Sequence, residues 1–393
     1  MDSKRIKEIE KYKKRVHLIF SELDIKAALK EISSRAPELI ITELISSGLR
    51  GRGGAGFPTG KKWEIVSETN SPDKYVVCNA DEGEPGTFKD REILQKQAAK
   101  VLLGMTSCAR ATGAKTGFIY LRGEYGYMKK ELTSQIEEFR KLLSDFGIKF
   151  SIELRMGSGA YVCGEETSLL ESLEGRRGEA RNKPPYPVTE GFMGKPTVVN
   201  NVETLVYAVH IILEGADSFL QMGTKSSRGA KVFCVSGDTP VPGIYELELG
   251  MKLTDFVDLF GDGDAKAVQV GGVSGFCVPR KNFDKTIIGF EGIPTGGSMM
   301  LFNSSRSMYN VLHNYLDFFA EESCGQCTPC RIGCQQLLKG IEEVKRGTKP
   351  SSYLEKLRSM AVTMSIASKC GLGQSVAHPF VSTTDYFREE IIY

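Results

Sequence analysis

Cys324-Gly-Gln-Cys327-Thr-Pro-Cys330 sets three thiols at three-residue spacing, and Cys370 follows forty positions later. Thiolates so spaced on one turn reach three corners of an iron–sulfur cubane, and the fourth ligand then comes from far along the chain. A fold that uses all four must bring two remote segments together. Four thiolates also suit tetrahedral zinc, although structural zinc is usually held by two Cys-x-x-Cys pairs. The third reading is a group of buried core thiols, the common fate of free cysteine. Gly325, Pro329 and Gly333 argue for a looped stretch near the surface, which favours the [4Fe–4S] reading. Cys334 fits the following helix better than a ligand role.

The other cysteines are scattered, and Cys78, Cys108, Cys234 and Cys277 read as small buried hydrophobes. A reducing compartment argues against a disulfide framework in a chain of 393 residues. That length predicts two or three domains. A net charge of +2 argues against nucleic acid or an anionic membrane as partner. Met1–Arg15 is heavily charged and lacks the apolar core of a signal peptide. No apolar run approaches the roughly 18–20 residues that span a bilayer. The chain is therefore expected to be cytoplasmic, with no direct membrane insertion.

Residues 25–48 carry Ile25, Ala28, Leu29, Ile32, Leu39, Ile40, Leu44 and Ile45 at helical spacing. Strand-like runs at Tyr75–Cys78, Phe118–Arg122 and Phe150–Leu154 are each followed by a glycine- or acid-rich loop and a helical pattern, which predicts an α/β layer. Gly223–Gly229 reads as a linker. Short strands at Val232–Ser236, Gly243–Leu249, Ala267–Val270 and Thr286–Gly289, with a helix over Leu253–Phe260, form a small α+β module. From Met308 the pattern is helical. The expected organisation is α/β plus α+β plus all-α, with boundaries 1–224, 225–305 and 306–393.

Gly51-Arg-Gly53-Gly-Ala-Gly56 matches GxGxxG, but the residues before it look helical, so the dinucleotide fingerprint does not apply. The loop reads as another kind of phosphate cradle, with Arg52, Lys61 and Lys62 adding charge, or as a flexible turn. Asn79 and Asp81 end a strand, where ligand crevices of α/β sheets open; with Glu82 and Glu84 they otherwise form a solvated acidic turn. Glu165 and Glu166 precede a helix, where they also suit its positive end. Pro184-Pro-Tyr186-Pro is a stiff aromatic ledge or a plain polyproline turn. Asn200 and Asn201 start a helix as N-caps or as cofactor ligands.

Together these stretches resemble one family: the flavoprotein subunit of NADH:quinone oxidoreductase and its relatives in NAD-linked hydrogenases and formate dehydrogenases. The match is carried by GLRGRGGAGFPTGKKW at 48–63, NADEGEPGTFKDR at 79–91 and GAYVCGEETSLLESLEG at 159–175. KPPYPV at 183–188, KPTVVNNVET at 195–204 and CGQCTPCRIG at 324–333 extend it. The resemblance implies a Rossmann-like FMN domain, a ubiquitin-like β-grasp (SLBB) module and a helical bundle holding the cluster.

By the same resemblance Gly51, Arg52, Gly54, Lys62, Asn79, Asp81, Tyr161, Val199, Asn200, Asn201 and Thr204 hold FMN. Phe57, Glu84, Glu165 and Tyr186 shape the NAD(H) site, with Phe57 and Tyr186 stacking on adenine and Glu84 and Glu165 positioning the nicotinamide and its ribose, and Glu82 and Glu166 are further cofactor-binding residues. Cys324, Cys327, Cys330 and Cys370 ligate the cluster. The implied activity is FMN-dependent NADH oxidation, or NAD reduction, with electrons passed on through the cluster. The implied partners are a thioredoxin-like [2Fe–2S] subunit and, beyond it, an iron–sulfur catalytic subunit that acts on hydrogen or formate. Respiratory electron input, flavin-based bifurcation and a flavin-free iron–sulfur or zinc scaffold are the competing readings. Ile65 stands where many relatives carry an aromatic. No second CxxCxxC appears, and the stretch after Cys370 resembles the soluble hydrogenase and formate dehydrogenase branch. The acids of Asp81–Glu84 are expected to repel a 2′-phosphate and so to favour NADH over NADPH.

Overall fold

Four strands, β1 (Tyr75–Ala80), β2 (Thr116–Leu121), β3 (Ser151–Met156) and β4 (Thr197–Asn201), form an all-parallel sheet in the order β3-β2-β1-β4. The computed structural model describes residues 6–11 and 16–393, so most of the charged opening stretch lies outside the described residues. A parallel sheet needs both faces covered, and alternate residues of these strands do go to different cores. Val76, Cys78, Ile119 and Val198 pack with the long helix Lys89–Thr112 and with Val202–Glu214. Val77, Phe118, Tyr120 and Val199 pack instead with Leu312, Phe319 and Leu337 of the C-terminal bundle. The bundle thus serves as the sheet's second helical layer.

The next unit pairs β5 (Ala230–Gly237) with β6 (Gly243–Glu248). A two-residue β7 (Met251–Lys252) and the helix Leu253–Phe260 follow, then β8 (Ala265–Val270), β9 (Phe276–Pro279), β10 (Ile287–Ile288) and β11 (Ser298–Asn303). The five-stranded order is β6-β5-β11-β8-β9, with β5 and β11 parallel and every other pair antiparallel. A hairpin, a helix across one face and a last strand inserted parallel to the first make this a β-grasp. Leu253, Phe256 and Phe260 of the helix fill its core against Phe233 and Val235.

Several expectations change in detail. The central strand β11 and the edge strand β9 have no counterpart in the sequence pattern, and Thr286–Gly289 contributes only β10. Val198–Asn201 is strand, and the helix starts at Val202. Residues 25–48 form two helices, Ile25–Ser34 and Pro37–Ser47, because Pro37 starts the second. Leu39 and Ile45 are exposed, and Ile41 takes the buried place beside Ile40 and Leu44. The expected linker is a tight turn around buried Ser227, closed by Gly229 N–H to the Met222 carbonyl at 2.8 Å.

The bundle comprises Met308–Glu322, Thr328–Lys345, Tyr353–Ala367 and three short helices from Gly371 to Ile392. Cys324 and Cys327 lie between the first two helices, and Cys330 is in the first turn of the second. Gly333 is not in a loop. It sits in that helix where a methyl would collide with Met364, so it permits close helix approach. No helix among the described residues is long and apolar enough to cross a membrane.

Candidate functional site

The C-terminal ends of β1 and β4 lie where ligand crevices of parallel sheets open, with Asn79 directly beside Asn201 in register. Asn79 Nδ2 donates to the Gly164 carbonyl at 2.8 Å, and its Oδ1 accepts from Asp81 N–H at 3.1 Å. Asn200 Oδ1 accepts from the buried Trp63 indole at 2.8 Å. Asn201 caps the helix Val202–Glu214 through Glu203 N–H at 3.0 Å and donates to Asp90 at 2.6 Å. Asp81 differs from these pinned amides. Its Oδ2 is buried and has no hydrogen-bond partner. Burial pushes its carboxyl up to about 7, against the pull of Arg122. An orphaned polar atom at the C-terminal end of a parallel strand is what a missing ligand leaves behind.

Gly51 N–H donates to the Phe57 carbonyl at 2.9 Å, which closes the glycine loop before the helix Thr59–Glu68. Gly54, at φ 118°, has open space where a Cβ would stand, so its backbone is free to be approached closely. Arg52 faces the other way. It is buried, and its guanidinium donates to the carbonyls of Arg50, Arg228 and Ala230, while its N–H donates to Thr204 Oγ at 2.9 Å. Arg52 and Thr204 therefore anchor the loop from behind.

Lys62, one turn into the helix, reaches Glu166 at 3.1 Å and the Val199 carbonyl at 3.0 Å. Lys183 bridges Glu165 at 2.7 Å and Glu166 at 3.2 Å. Burial alone would raise the Glu166 carboxyl, but the two lysines hold it below its usual range. Phe57, with its ring centroid 5.9 Å from the Lys62 ammonium, is 48% exposed, and Tyr186 is 54% exposed. Exposed rings of this kind are able to stack on a planar group.

The three other carboxylates divide. Glu165 caps the helix Glu166–Leu173 through the N–H groups of Thr167 and Ser168, which matches the helix-end reading of the sequence. Glu82 is buried and accepts from Asp90 N–H at 2.8 Å, Arg91 N–H at 3.1 Å and the Tyr125 hydroxyl at 3.0 Å. Its oxygens are spent on the start of the helix Lys89–Thr112. Glu84 accepts from the Tyr161 hydroxyl at 2.6 Å and from both N–H and Oγ of Ser274, at 3.0 and 2.7 Å. Burial raises its carboxyl, while these donors pull it back down. Glu82 and Glu84 thus spend their oxygens on protein donors, whereas Asp81 keeps one oxygen unpaired.

Cys324, Cys327, Cys330 and Cys370 line one small cavity, with Val162, Ala180 and Leu372 among its other walls. The donor set fits a thiolate-held cluster. Cys330 is pulled down to about 7, first by the Cys334 thiol 3.9 Å away. Cys370 is raised by burial but accepts from the backbone N–H groups of Leu372 and Gly373. Cys327 and Cys370 are the N-cap residues of their helices, where the helix dipole favours thiolates. Cys334 is buried in the helix core and does not line the cavity.

Two site residues escape a reading of the sequence. Lys183 is visible there only as the first residue of KPPYPV, with nothing to say that it returns to Glu165 and Glu166. Ser274 lies in a loop conspicuous only for its glycines, Gly271-Gly272-Val-Ser-Gly275.

Residues 44–210 match the family model described as the Nuo51 FMN-binding domain. Residues 310–393 match the NADH-ubiquinone oxidoreductase-F iron-sulfur binding region. The chain is 42% identical over 373 residues to the NAD-reducing hydrogenase HoxS subunit alpha of Cupriavidus necator, covering 93% of this chain and 62% of that one. It is 40% identical to the NADP-reducing hydrogenase subunit HndC of Solidesulfovibrio fructosivorans, covering 92% and 77%. It is 36% identical to the mitochondrial NADH dehydrogenase [ubiquinone] flavoprotein 1 of Dictyostelium discoideum, covering 92% and 80%. A crystal structure of an NAD+-reducing [NiFe]-hydrogenase in the H2-reduced state superposes with a TM-score of 0.89 at 40% identity, covering 98% of this chain and 66% of that one.

Proposed function

The chain belongs to the family of flavoproteins built on the Nuo51 FMN-binding domain and the NADH-ubiquinone oxidoreductase iron–sulfur binding region, and from that premise we propose that it exchanges a hydride with NADH and passes electrons on through its cluster. The observation that carries the reading is one short turn, Tyr161–Gly164. Tyr161 bonds Glu84 on the crevice side, and its neighbour Val162 lines the cysteine cavity. Hydride chemistry and one-electron chemistry are thereby only a residue apart along the backbone.

When bound, FMN accepts the electron pair of a hydride and releases it singly to an iron–sulfur centre. The protein's own work is to bind and orient. The open backbone at Gly54 and the Lys62 ammonium suit the flavin phosphate. Asn79 and Asn200 offer fixed amides at the strand ends, and the unpaired Asp81 oxygen offers an acceptor, or a donor while protonated. Phe57 and Tyr186 give adenine two faces to stack on. Glu84 and Glu165, each already held by several donors, present fixed carboxylates at the nicotinamide end. Nothing in this scheme asks a side chain for a proton.

The complex is proposed to be a soluble, cytoplasmic one of the hydrogenase or formate dehydrogenase type; identities of 42% and 40% to hydrogenase subunits, against 36–38% to NADH dehydrogenase and NADH-quinone oxidoreductase subunits, support the hydrogenase side. A thioredoxin-like [2Fe–2S] subunit is the proposed neighbour. The full chain, purified with its cofactors, is expected to carry about one flavin and about four iron and four sulfide per chain. Cys370→Ser should lose iron and sulfide and keep the flavin. Stoichiometric zinc with little iron would reject the proposal.

A further inference from the structure

Glu84 is gripped by a loop that the bundle itself holds in place. The loop is the β8–β9 turn, in which Val270 pairs with Phe276 and Gly271–Gly275 reverses the chain. Gly271 N–H donates to the Ser298 carbonyl at 2.8 Å, and the Gln269 amide donates to the Gly272 carbonyl at 2.8 Å. These bonds aim Ser274 N–H and Oγ at Glu84. Gly272, at φ 76°, is packed so closely on the Glu84 carboxylate that a methyl there would overlap it. The Ser274 carbonyl in turn meets His378 Nδ1 at 3.0 Å. A carbonyl oxygen only accepts, so this ring nitrogen carries the proton. The imidazole is held flat against Phe276, with ring centroids 4.3 Å apart and planes 21° apart. One turn further on, Ser382 Oγ donates to the His378 carbonyl at 2.6 Å and accepts from Cys277 N–H at 3.0 Å. His378 lies on the helix Ala377–Tyr386, directly after the short helix capped by the cluster-cavity residue Cys370.

We propose that His378 is a positioning residue of the NADH site, acting from the cluster-bearing bundle through Ser274 to fix the carboxylate of Glu84. The chain of contacts has no slack. His378 fixes the carbonyl of Ser274, and the same residue's N–H and hydroxyl fix both oxygens of Glu84. Tyr161 closes the ring from the other side. Its hydroxyl bonds Glu84, its N–H donates to Glu322 of the bundle at 2.8 Å, and its ring meets Phe318 edge-on at 5.1 Å. Glu84 is thus the point where all three structural units bear on one side chain. The inference rests on the proposed placing of Glu84 at the nicotinamide end of the site.

The test uses the full chain with flavin and cluster bound. Affinity is measured by calorimetry for NAD+ and for ADP-ribose, which lacks the nicotinamide, and NADH:ferricyanide kinetics are split into kcat and KM. His378→Leu removes the donor, whereas His378→Asn keeps an amide N–H near the place of Nδ1. His378→Leu should weaken NAD+ about fivefold and leave ADP-ribose within about twofold, the scale of one lost hydrogen bond. His378→Asn should recover most of that loss. Ser274→Ala should act in the same direction and stands in if the leucine variant does not fold. In a Glu84→Gln background the His378→Leu effect should largely vanish, because residues acting through one another are not additive. Equal effects of Leu and Asn, or an undiminished effect in the Glu84→Gln background, would overturn the proposal while leaving Glu84 in its role. If Glu84→Gln alone does not distinguish NAD+ from ADP-ribose, the placing of Glu84 is wrong and this inference falls with it.

Discussion

Glu166 carries one negative charge between two ammonium groups at the open side of the crevice, and that balance matters for which nicotinamide the site accepts. Of the acids Asp81, Glu82 and Glu84 that are expected to repel a 2′-phosphate, the last two are bonded to protein donors. Beside Phe57, Lys62 pairs with Glu166, and Lys183 pairs with Glu165 and Glu166, so two positive and two negative charges cancel. Removing the Glu166 charge leaves two lysines shared by one carboxylate, a setting that welcomes an added phosphate. Glu166→Gln is therefore expected to shift the ratio of kcat/KM for NADPH over NADH upward by about fivefold, or ~1 kcal/mol, the upper range for a partly exposed ion pair. Steady-state assays with both nucleotides and ferricyanide check it. An unchanged ratio would mean that these charges do not face the ribose.

At the scale of elements, legibility followed chemistry rather than packing. The phosphate-type loop, the acidic strand end and the cysteine run stood out because their residue types are costly unless used. The central strand β11 did not, because Gly296-Gly297-Ser298-Met-Met300 carries neither a β-branched run nor alternation. Gly333 read as a loop residue for the same reason: a glycine gives no hint of whether it is there for a turn or for contact. With Gly340 it lies two turns apart on the helix Thr328–Lys345, facing the helix Tyr353–Ala367. A methyl at Gly340 would stand 2.5 Å from Leu357 Cδ2. Gly340→Ala is thus predicted to destabilise the bundle by about 1–3 kcal/mol through overpacking, despite alanine's better helix propensity. The readout is the unfolding midpoint followed by the cluster's visible absorbance. A midpoint equal to or above that of the parent would show that the helices can part at no cost.

The three units do not function as beads. The parallel sheet lends one face to the bundle, Val162 and Ala180 join the cysteine cavity, and Ser274 of the β-grasp reaches Glu84. A buried ionic seam ties sheet to β-grasp: Lys89 pairs with Asp90 at 2.6 Å and Glu203 at 2.9 Å, and Lys231 meets the same Glu203 at 2.9 Å. Breaking such a pair leaves an uncompensated buried charge, so the units resist separation. This joint architecture was only partly legible. Domain texture changes along a sequence, but which face of which unit covers another depends on contacts between remote residues.

The molecule as a whole also bounds where its electrons can go. The sequence has ten cysteines. Four line the cluster cavity, Cys334 is buried beside Cys330, and Cys78, Cys108, Cys163, Cys234 and Cys277 are buried elsewhere. These 393 residues therefore offer ligands for one cluster, and electrons must pass to a centre outside them. Cys324 and Cys327 are only half-buried, so the cavity lies close enough to the surface for a neighbour's cluster to approach. The chain alone, loaded with flavin and cluster, should reduce ferricyanide or viologen with NADH, since small dyes can collect electrons at either centre. It should show no hydrogen, formate or quinone turnover until partner subunits are added back. Turnover of any of these by the chain alone would refute the view of it as an electron-input module. Failure to reduce even ferricyanide while holding full flavin would instead point to the crevice, and to the parts assigned there to Glu84, Glu165 and the Phe57–Tyr186 ledge.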